Sequence, residues 1–176
     1  MANYTKDELI ALIQDNPQEF NEWKKDQEDI DLSEVDFSNL TLTEVDFTDV
    51  DLNSSSFADS HLTEVKFQNC DLTSVDFTRS NLVECDFTDA IMPGADFSYA
   101  AVNYCIFNET DVAGCIFDES DLSNSDFSTT NNMSACRFDD ETVWPDSDML
   151  PEDFDSTYSD DLSSLKDDDE SAPSDY

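Results

Sequence analysis

At 176 residues the chain is the size of one domain, and 44 acidic residues against seven basic ones give it a net charge of −37. That balance excludes direct binding to nucleic acid, because phosphate recognition rests on Lys and Arg. Two glycines and an 11% aromatic share exclude a linker or a collagen-like chain.

Residues 1–29 read as helical. Thr5-Lys6-Asp7-Glu8 has the form of a capping box, and Leu9, Ile10, Leu12 and Ile13 follow as an apolar stripe. Asn16-Pro17-Gln18-Glu19 starts a second helix, with Pro17 at its first position. Phe20 and Trp23 then fall on one face, so the segment is expected to cap whatever follows it. The N-terminus lacks a basic-then-apolar signal and no stretch approaches a membrane span, so the cytoplasm is the expected compartment.

From Leu32 to Phe127 a large apolar residue returns at every fifth position, twenty times in succession, with Phe at every second one. Two residues before each stands a small or branched residue, such as Val35, Val45, Cys70 or Ala90, and between the two there is most often Asp. A helix of 3.6 residues per turn would spread this pattern over all its faces. A single straight strand would send alternate members to opposite sides. A chain that turns a corner once per repeat points every member at a common axis, and its coils bury their core by stacking.

The pattern resembles that of the pentapeptide-repeat family, whose consensus is a small residue, Asp or Asn, Leu or Phe, and two polar positions. The resemblance implies an all-β solenoid, a right-handed quadrilateral β-helix with four repeats per coil and columns of residues twenty apart. Residues 30–145 would form about six coils. Two faces would carry Phe columns (Phe37, Phe57, Phe77, Phe97 and Phe117 on one), and the other two would carry Leu, Met or Val.

Placed in this register, the exterior is acidic. Asp31, Asp36, Asp46, Asp51, Asp71, Asp76 and Asp86 stand just before the large residue, and Glu44, Glu64 and Glu84 recur on one face as a ladder at strand spacing, about 4.8 Å. Around residues 91–116 the outside turns apolar, with Ile91, Pro93, Tyr99, Ala101, Tyr104, Ile106 and Ile116. In the square coil these encircle the fourth turn and the start of the fifth, a candidate contact belt. All five cysteines, Cys70, Cys85, Cys105, Cys115 and Cys136, occupy the small inward position, which reads as packing, with Cys115 and Cys136 in one column.

After Phe127 the register slips by one residue within Ser128–Asn132, and Met133, Phe138 and Val143 are expected to resume the beat as inward residues. Trp144, Pro145, Met149, Leu150, Pro151 and Phe154 then cover the far end. In gyrase-targeting members of the family that end forms a dimer, so Trp144, Met149, Leu150 and Phe154 read either as a lid or as a homodimer interface. Residues 146–176 are expected to form this lid and then a disordered acidic tail ending in Lys166-Asp167-Asp168-Asp169-Glu170.

Signatures of catalysis are missing. His61 is the only histidine, no cysteine lies outside the core register, and Gly94 and Gly114 are the only glycines. Straight columns of carboxylates lack both the pocket of an acid–base pair and the convergence of a calcium site. No enzyme activity, cofactor or metal is therefore expected.

The charge points instead to a partner. Residues 30–145 carry 24 acidic and three basic residues, net −21. Just under six coils make a rod roughly 28 Å long, so one net charge falls on roughly every 1.3 Å, against about 1.7 Å for duplex DNA. Quinolone- and fluoroquinolone-resistance members of the family resemble duplex DNA and occupy the DNA-binding saddle of gyrase or topoisomerase IV. The expected function is that of a DNA mimic in the basic cleft of a topoisomerase, nuclease or defence effector. The alternative is a protein-interaction scaffold acting through the belt of Ile91, Tyr99, Tyr104, Ile106 and Ile116. A third reading ascribes the acidity to a high-salt cytoplasm and to the Asp of the repeat, and leaves the Glu ladder and the tail unexplained.

Overall fold

A computed structural model describes residues 4–155; the acidic tail expected beyond them lies outside the described residues. Two helices open the chain, α1 (Lys6–Asp15) and α2 (Pro17–Lys24). Thr5 caps α1, taking the Glu8 N–H on its hydroxyl while the Glu8 carboxylate takes the Thr5 N–H, and Asn16 caps α2 ahead of Pro17. The helices cover the open end of the coil. Leu9, Ile13 and Phe20 are buried, and the Phe20 ring lies 5.9 Å from that of Phe47. Asn21 closes the joint by donating to the Glu44 carbonyl at 2.8 Å and accepting the Asp46 N–H at 2.9 Å. No helix among the described residues is long and apolar enough to cross a membrane.

The remainder is a β-helix with four sides. Each outward residue forms a parallel bridge to the residue twenty later, as in Asp31 with Asp51, Asp36 with Ser56 and Asp46 with Lys66. We number the faces by their first inward Leu or Phe: Leu32 on the first, Phe37 on the second, Leu42 on the third and Phe47 on the fourth. Among the described residues only the third face forms continuous strands: β1 (Thr41–Thr43), β2 (His61–Thr63), β3 (Asn81–Val83) and β4 (Ala101–Asn103), paired in that order in parallel.

From Leu32 to Phe117 the corners are made by a left-handed residue two places after each large one. Among the described residues, eighteen other than glycine hold φ between 51° and 62°. Where the turn closes with a hydrogen bond, as from Val50 N–H to the Phe47 carbonyl at 2.9 Å, a positive φ at the third residue is what a type II turn demands. Left-handed conformation costs a residue with a Cβ about 1–2 kcal/mol. The corner N–H groups offset it with bonds to the next coil, for example Glu34 to Asn53 and Glu44 to Thr63 at 2.8 and 3.0 Å. Gly94 and Gly114 sit at two such corners, where the missing Cβ removes the strain.

Two Phe columns fill the axis. Within a column successive rings stack at 4.2–5.6 Å with interplanar angles of 6–21°. Between columns, from Phe47 onward, they meet edge to face at 5.5–6.3 Å. Each such pair adds about 0.5–1.5 kcal/mol to the burial itself. The small inward residues serve the backbone: Cys70, Cys115, Ser125, Thr110 and Thr130 each donate to a carbonyl of the preceding coil, at 2.7–3.1 Å. All five cysteines are buried and free.

The sixth coil departs from the expected register twice more. The first slip falls at Asn132, which is left-handed (φ 60°) and leads into a 3-10 turn at Met133–Ala135, so that Ile116 bridges Arg137, twenty-one residues on. A second extra residue lies within Asp139–Glu141, because Asp121 bridges Val143, twenty-two residues on. Val143 therefore takes the outward place and is 48% exposed, which corrects its expected inward position; Trp144 takes the column of Leu122. A further 3-10 turn, Ser147–Met149, repeats the six-residue step. The Met149 carbonyl accepts from Phe127, so Met149 stands outward and Leu150 follows inward.

Candidate functional site

The outward Asp residues have a structural task as well as a charge. Asp31, Asp36, Asp46, Asp51, Asp71, Asp76 and Asp86 each accept the N–H of the residue two further on, at 2.8–3.0 Å. Asp96, Asp111, Asp121 and Asp126 do the same at 2.8–3.1 Å. This is an Asx turn, in which one carboxylate oxygen satisfies the N–H on the way into the corner. Ser56 substitutes for Asp with its hydroxyl. The interaction also lowers pKa values. The Ser33 hydroxyl, then the Lys6 ammonium and the Ser33 N–H, hold Asp31 at about 2. The Ser38 hydroxyl and N–H lower Asp36. Partial burial pushes Asp46 up, but the two Thr48 bonds with Lys24 and Lys66 bring it below the usual range.

Glu44, Glu64 and Glu84 differ. They occupy the left-handed corner between the third and fourth faces, with φ of 56°, 54° and 55°, and all three are exposed. Tyr104 continues their column. Corner acids on other edges, Asp49, Asp59, Asp89, Glu109 and Glu119, belong to the same exposed set. The positions two after a large residue could have identified them in the sequence.

Over residues 30–145 the carboxylates number five on the first face, nine on the second, four on the third and six on the fourth. The cations are Lys66 on the fourth face and Arg79 and Arg137 on the second. Arg79 is committed to Asp59 by two bonds of 2.8 Å, and Arg137 is paired with Asp118. The least charged surface is the third face, where Thr41, Thr43, His61, Thr63, Asn81, Val83, Ala101 and Asn103 flank the inward residues of the four strands. Among the described residues no three carboxylate, thiol or imidazole groups converge as a metal site would require.

The apolar residues of the fourth coil and the start of the fifth are distributed around the rod. Ile91, 53% exposed, lies on the first face between Asp71 and Asp111, and Ile116, only half-buried, lies on the second between Asp96 and Arg137. Tyr99 and Tyr104 stand at the two corners of the third face, and Ile106 on the fourth. Tyr104 and Ile106 fall on adjoining columns of one edge, as Tyr99 and Ala101 do on the edge before it. At the far end Phe154 folds back onto Trp144 and Phe138, with ring centroids 4.9 and 5.8 Å away. Trp144, Leu150 and Phe154 are partly buried against the core, while Met149 is exposed. The Trp144 indole N–H is buried there and has no acceptor among the described residues.

The family models that match the sequence agree with this geometry. A model described as a pentapeptide repeat region matches residues 28–97, and one described as pentapeptide repeats (8 copies) matches 95–131 and 105–139. No curated protein sequence matches the chain. Among solved structures, a trypsin-treated variant of QnrB1, a plasmid-mediated fluoroquinolone resistance protein, is 17% identical over 66% of this chain and 77% of its own, with a TM-score of 0.39. HetL, a pentapeptide repeat protein from the cyanobacterium Nostoc involved in heterocyst differentiation regulation, is 14% identical over 64% of this chain and 61% of its own, at 0.30. A pentapeptide repeat protein of the Arabidopsis thaliana thylakoid lumen is 27% identical over 62% of this chain and 66% of its own, at 0.26. The chain thus spans under two thirds of the Nostoc protein. With the two models together running from residue 28 to 139, over coils that close every twenty residues, the chain belongs to the pentapeptide-repeat family.

Proposed function

We propose that this protein acts as a mimic of duplex DNA, binding through its acidic rod to the basic cleft of a DNA-handling protein and obstructing or modulating it. One observation carries the reading: carboxylates stand on all four faces of the coil, at intervals set by the coil spacing, and two of the three cations among them are already paired. A charge distributed around a rod attracts a basic cleft from any azimuth, as the phosphate backbone does. The partner class is a topoisomerase or gyrase, a nuclease or a defence effector. The Asx turns support the reading further, because they keep the charge-bearing side chains ordered on the surface.

The test is competition. A partner captured on the full-length protein should be released by added duplex DNA, and its affinity should fall steeply between about 50 and 200 mM salt, the range over which phosphate-like contacts lose orders of magnitude. Binding that ignores both DNA and salt overturns the reading. A scaffold role through the apolar belt keeps one specific support, the 63% exposure of Tyr104; in that case Tyr104→Ala or Ile106→Asp abolishes capture and Glu64→Gln does not.

A further inference from the structure

The edge between the third and fourth faces is concave. Asn21, Glu44, Asp46, Glu64, Lys66, Glu84, Asp86 and Ile106 line an open groove of about 530 Å³ that runs along the rod axis. One wall is the corner column Glu44, Glu64, Glu84, and the floor is the outward column Asp46, Lys66, Asp86. An independent feature lies at its end. Both columns change character in the same coil, the wall to Tyr104 and the floor to Ile106, which are 63% and 38% exposed. The groove is therefore rich in carboxylates over three coils, with Lys66 in the second, and ends in the fourth at Ile106 beside the corner residue Tyr104, while α2 closes its other end through Asn21.

We infer that this groove receives a basic amphipathic α-helix of the partner, laid along the rod with Lys or Arg against the Glu column and an apolar side chain against Tyr104 and Ile106. The inference rests on the proposed binding to a basic partner and names the contact. Pitch decides between occupants. Basic residues at i, i+4 and i+7 recur about every 5.4 Å along a helix, so over three Glu rungs about 4.8 Å apart they drift by only about 1.2 Å. Same-side residues of an extended strand recur at about 6.7 Å and drift by about 4 Å over the same rungs, out of reach of the last carboxylate. An apolar residue at i+11, three helical turns on and in phase with the basic row, then arrives near Tyr104. The Glu64 and Glu84 side chains, exposed on the wall, are positioned to receive the basic row. Lys66 in the floor directs the incoming charges to the wall.

The experiment uses the full-length protein and two synthetic helical peptides of about 18 residues in an Ala/Gln background. One carries Arg at i, i+4 and i+7 with Leu at i+11; the other has the same composition with the Arg residues spread around the helix. The patterned peptide should bind at least about tenfold tighter in fluorescence anisotropy. The Glu64→Gln/Glu84→Gln variant should lose that preference, and Tyr104→Ala should weaken binding several-fold. Asp89→Asn/Glu109→Gln, which removes the same charge from the next corner, should leave the preference within about twofold. Equal binding of the two peptides, or equal loss in the two double variants, overturns the groove and leaves the DNA-competition result standing. Failure of DNA competition with the peptide preference intact overturns the mimic reading instead.

Discussion

The Cys70 thiol lies 2.9 Å from the carbonyl oxygen of Phe47 in the preceding coil, and donates to it. Cys115 and Cys136 make the same kind of bond to Met92 and Val112 at 3.1 and 3.2 Å. Burial pushes the Cys70 and Cys136 thiols up to about 12 and raises Cys115 well above its ordinary value. Thiolate is the reactive form, so the folded protein should give almost no reaction with a thiol-specific disulfide reagent at pH 8. All five cysteines should titrate after unfolding in urea. Prompt modification of one or more thiols in the folded state would contradict this packing.

Phe87 stacks on Phe67 and Phe107 at 4.9 and 4.8 Å and meets Phe77 and Phe97 edge to face. Phe87→Ala should cost about 3–5 kcal/mol, the range for an aromatic truncation that leaves a cavity. Phe154→Ala, at the partly buried end of the coil, should cost distinctly less. Urea unfolding of both variants checks the ordering, which follows from Phe87 having coils on both sides.

Phe87 and Trp144 mark what was legible in the sequence. Phe87 was placed by the five-residue beat alone, because each large residue must meet the axis for the coil to close. Trp144 was not, since the beat lengthens to six between Phe138 and Trp144, and nothing in Asp139-Asp140-Glu141 identifies the extra residue. The acidic columns were legible as charge. Their bond to the N–H just before the corner was hidden, because an Asx turn depends on the backbone two residues on. Nor could spacing alone show that Glu84, Asp86 and Ile106 line one groove rather than separate surfaces.

Acid should destabilise the fold through specific carboxylates. Asp31, Asp36 and Asp46 have folded-state pKa values below the ordinary value, from Ser33 with Lys6, from Ser38, and from Thr48 with two lysines acting against partial burial. A lowered pKa contributes stability that is fully present above the unfolded pKa, about 4, and is lost as pH falls through the folded value. For Asp31 that value is about 2. The melting temperature should therefore fall between pH 4 and 2, and less steeply for Asp31→Asn with Asp36→Asn. An unchanged slope in the double variant would remove these groups as the cause.

Glu64 combines a left-handed backbone, φ 54°, with like charges one coil away on either side at Glu44 and Glu84. Asn tolerates this conformation better than Glu and carries no charge. Glu64→Asn should therefore stabilise the protein by about 1 kcal/mol at low salt. The gain should shrink in 0.5 M NaCl, where screening has removed the repulsive part. Denaturant titrations at two salt concentrations measure both parts, and a destabilised variant would show that the Glu side chain makes a contact worth more than the strain.

The Asx turns allow charge and fold to be separated. Asp51, Asp71 and Asp76 accept the N–H of Asn53, Thr73 and Thr78 at 2.8–2.9 Å, an acceptance that an Asn amide oxygen reproduces. Changing all three to Asn should leave unfolding in urea unchanged or slightly more difficult, while changing them to Ala should cost about 1 kcal/mol per lost bond. On a DNA-mimicking rod the Asn variant should bind its partner more weakly and with a shallower dependence on salt. If the partner instead reads shape or the apolar belt, the Asn variant binds as the parent does. The Ala variant, with the same charge removed, identifies any loss that comes from a damaged coil.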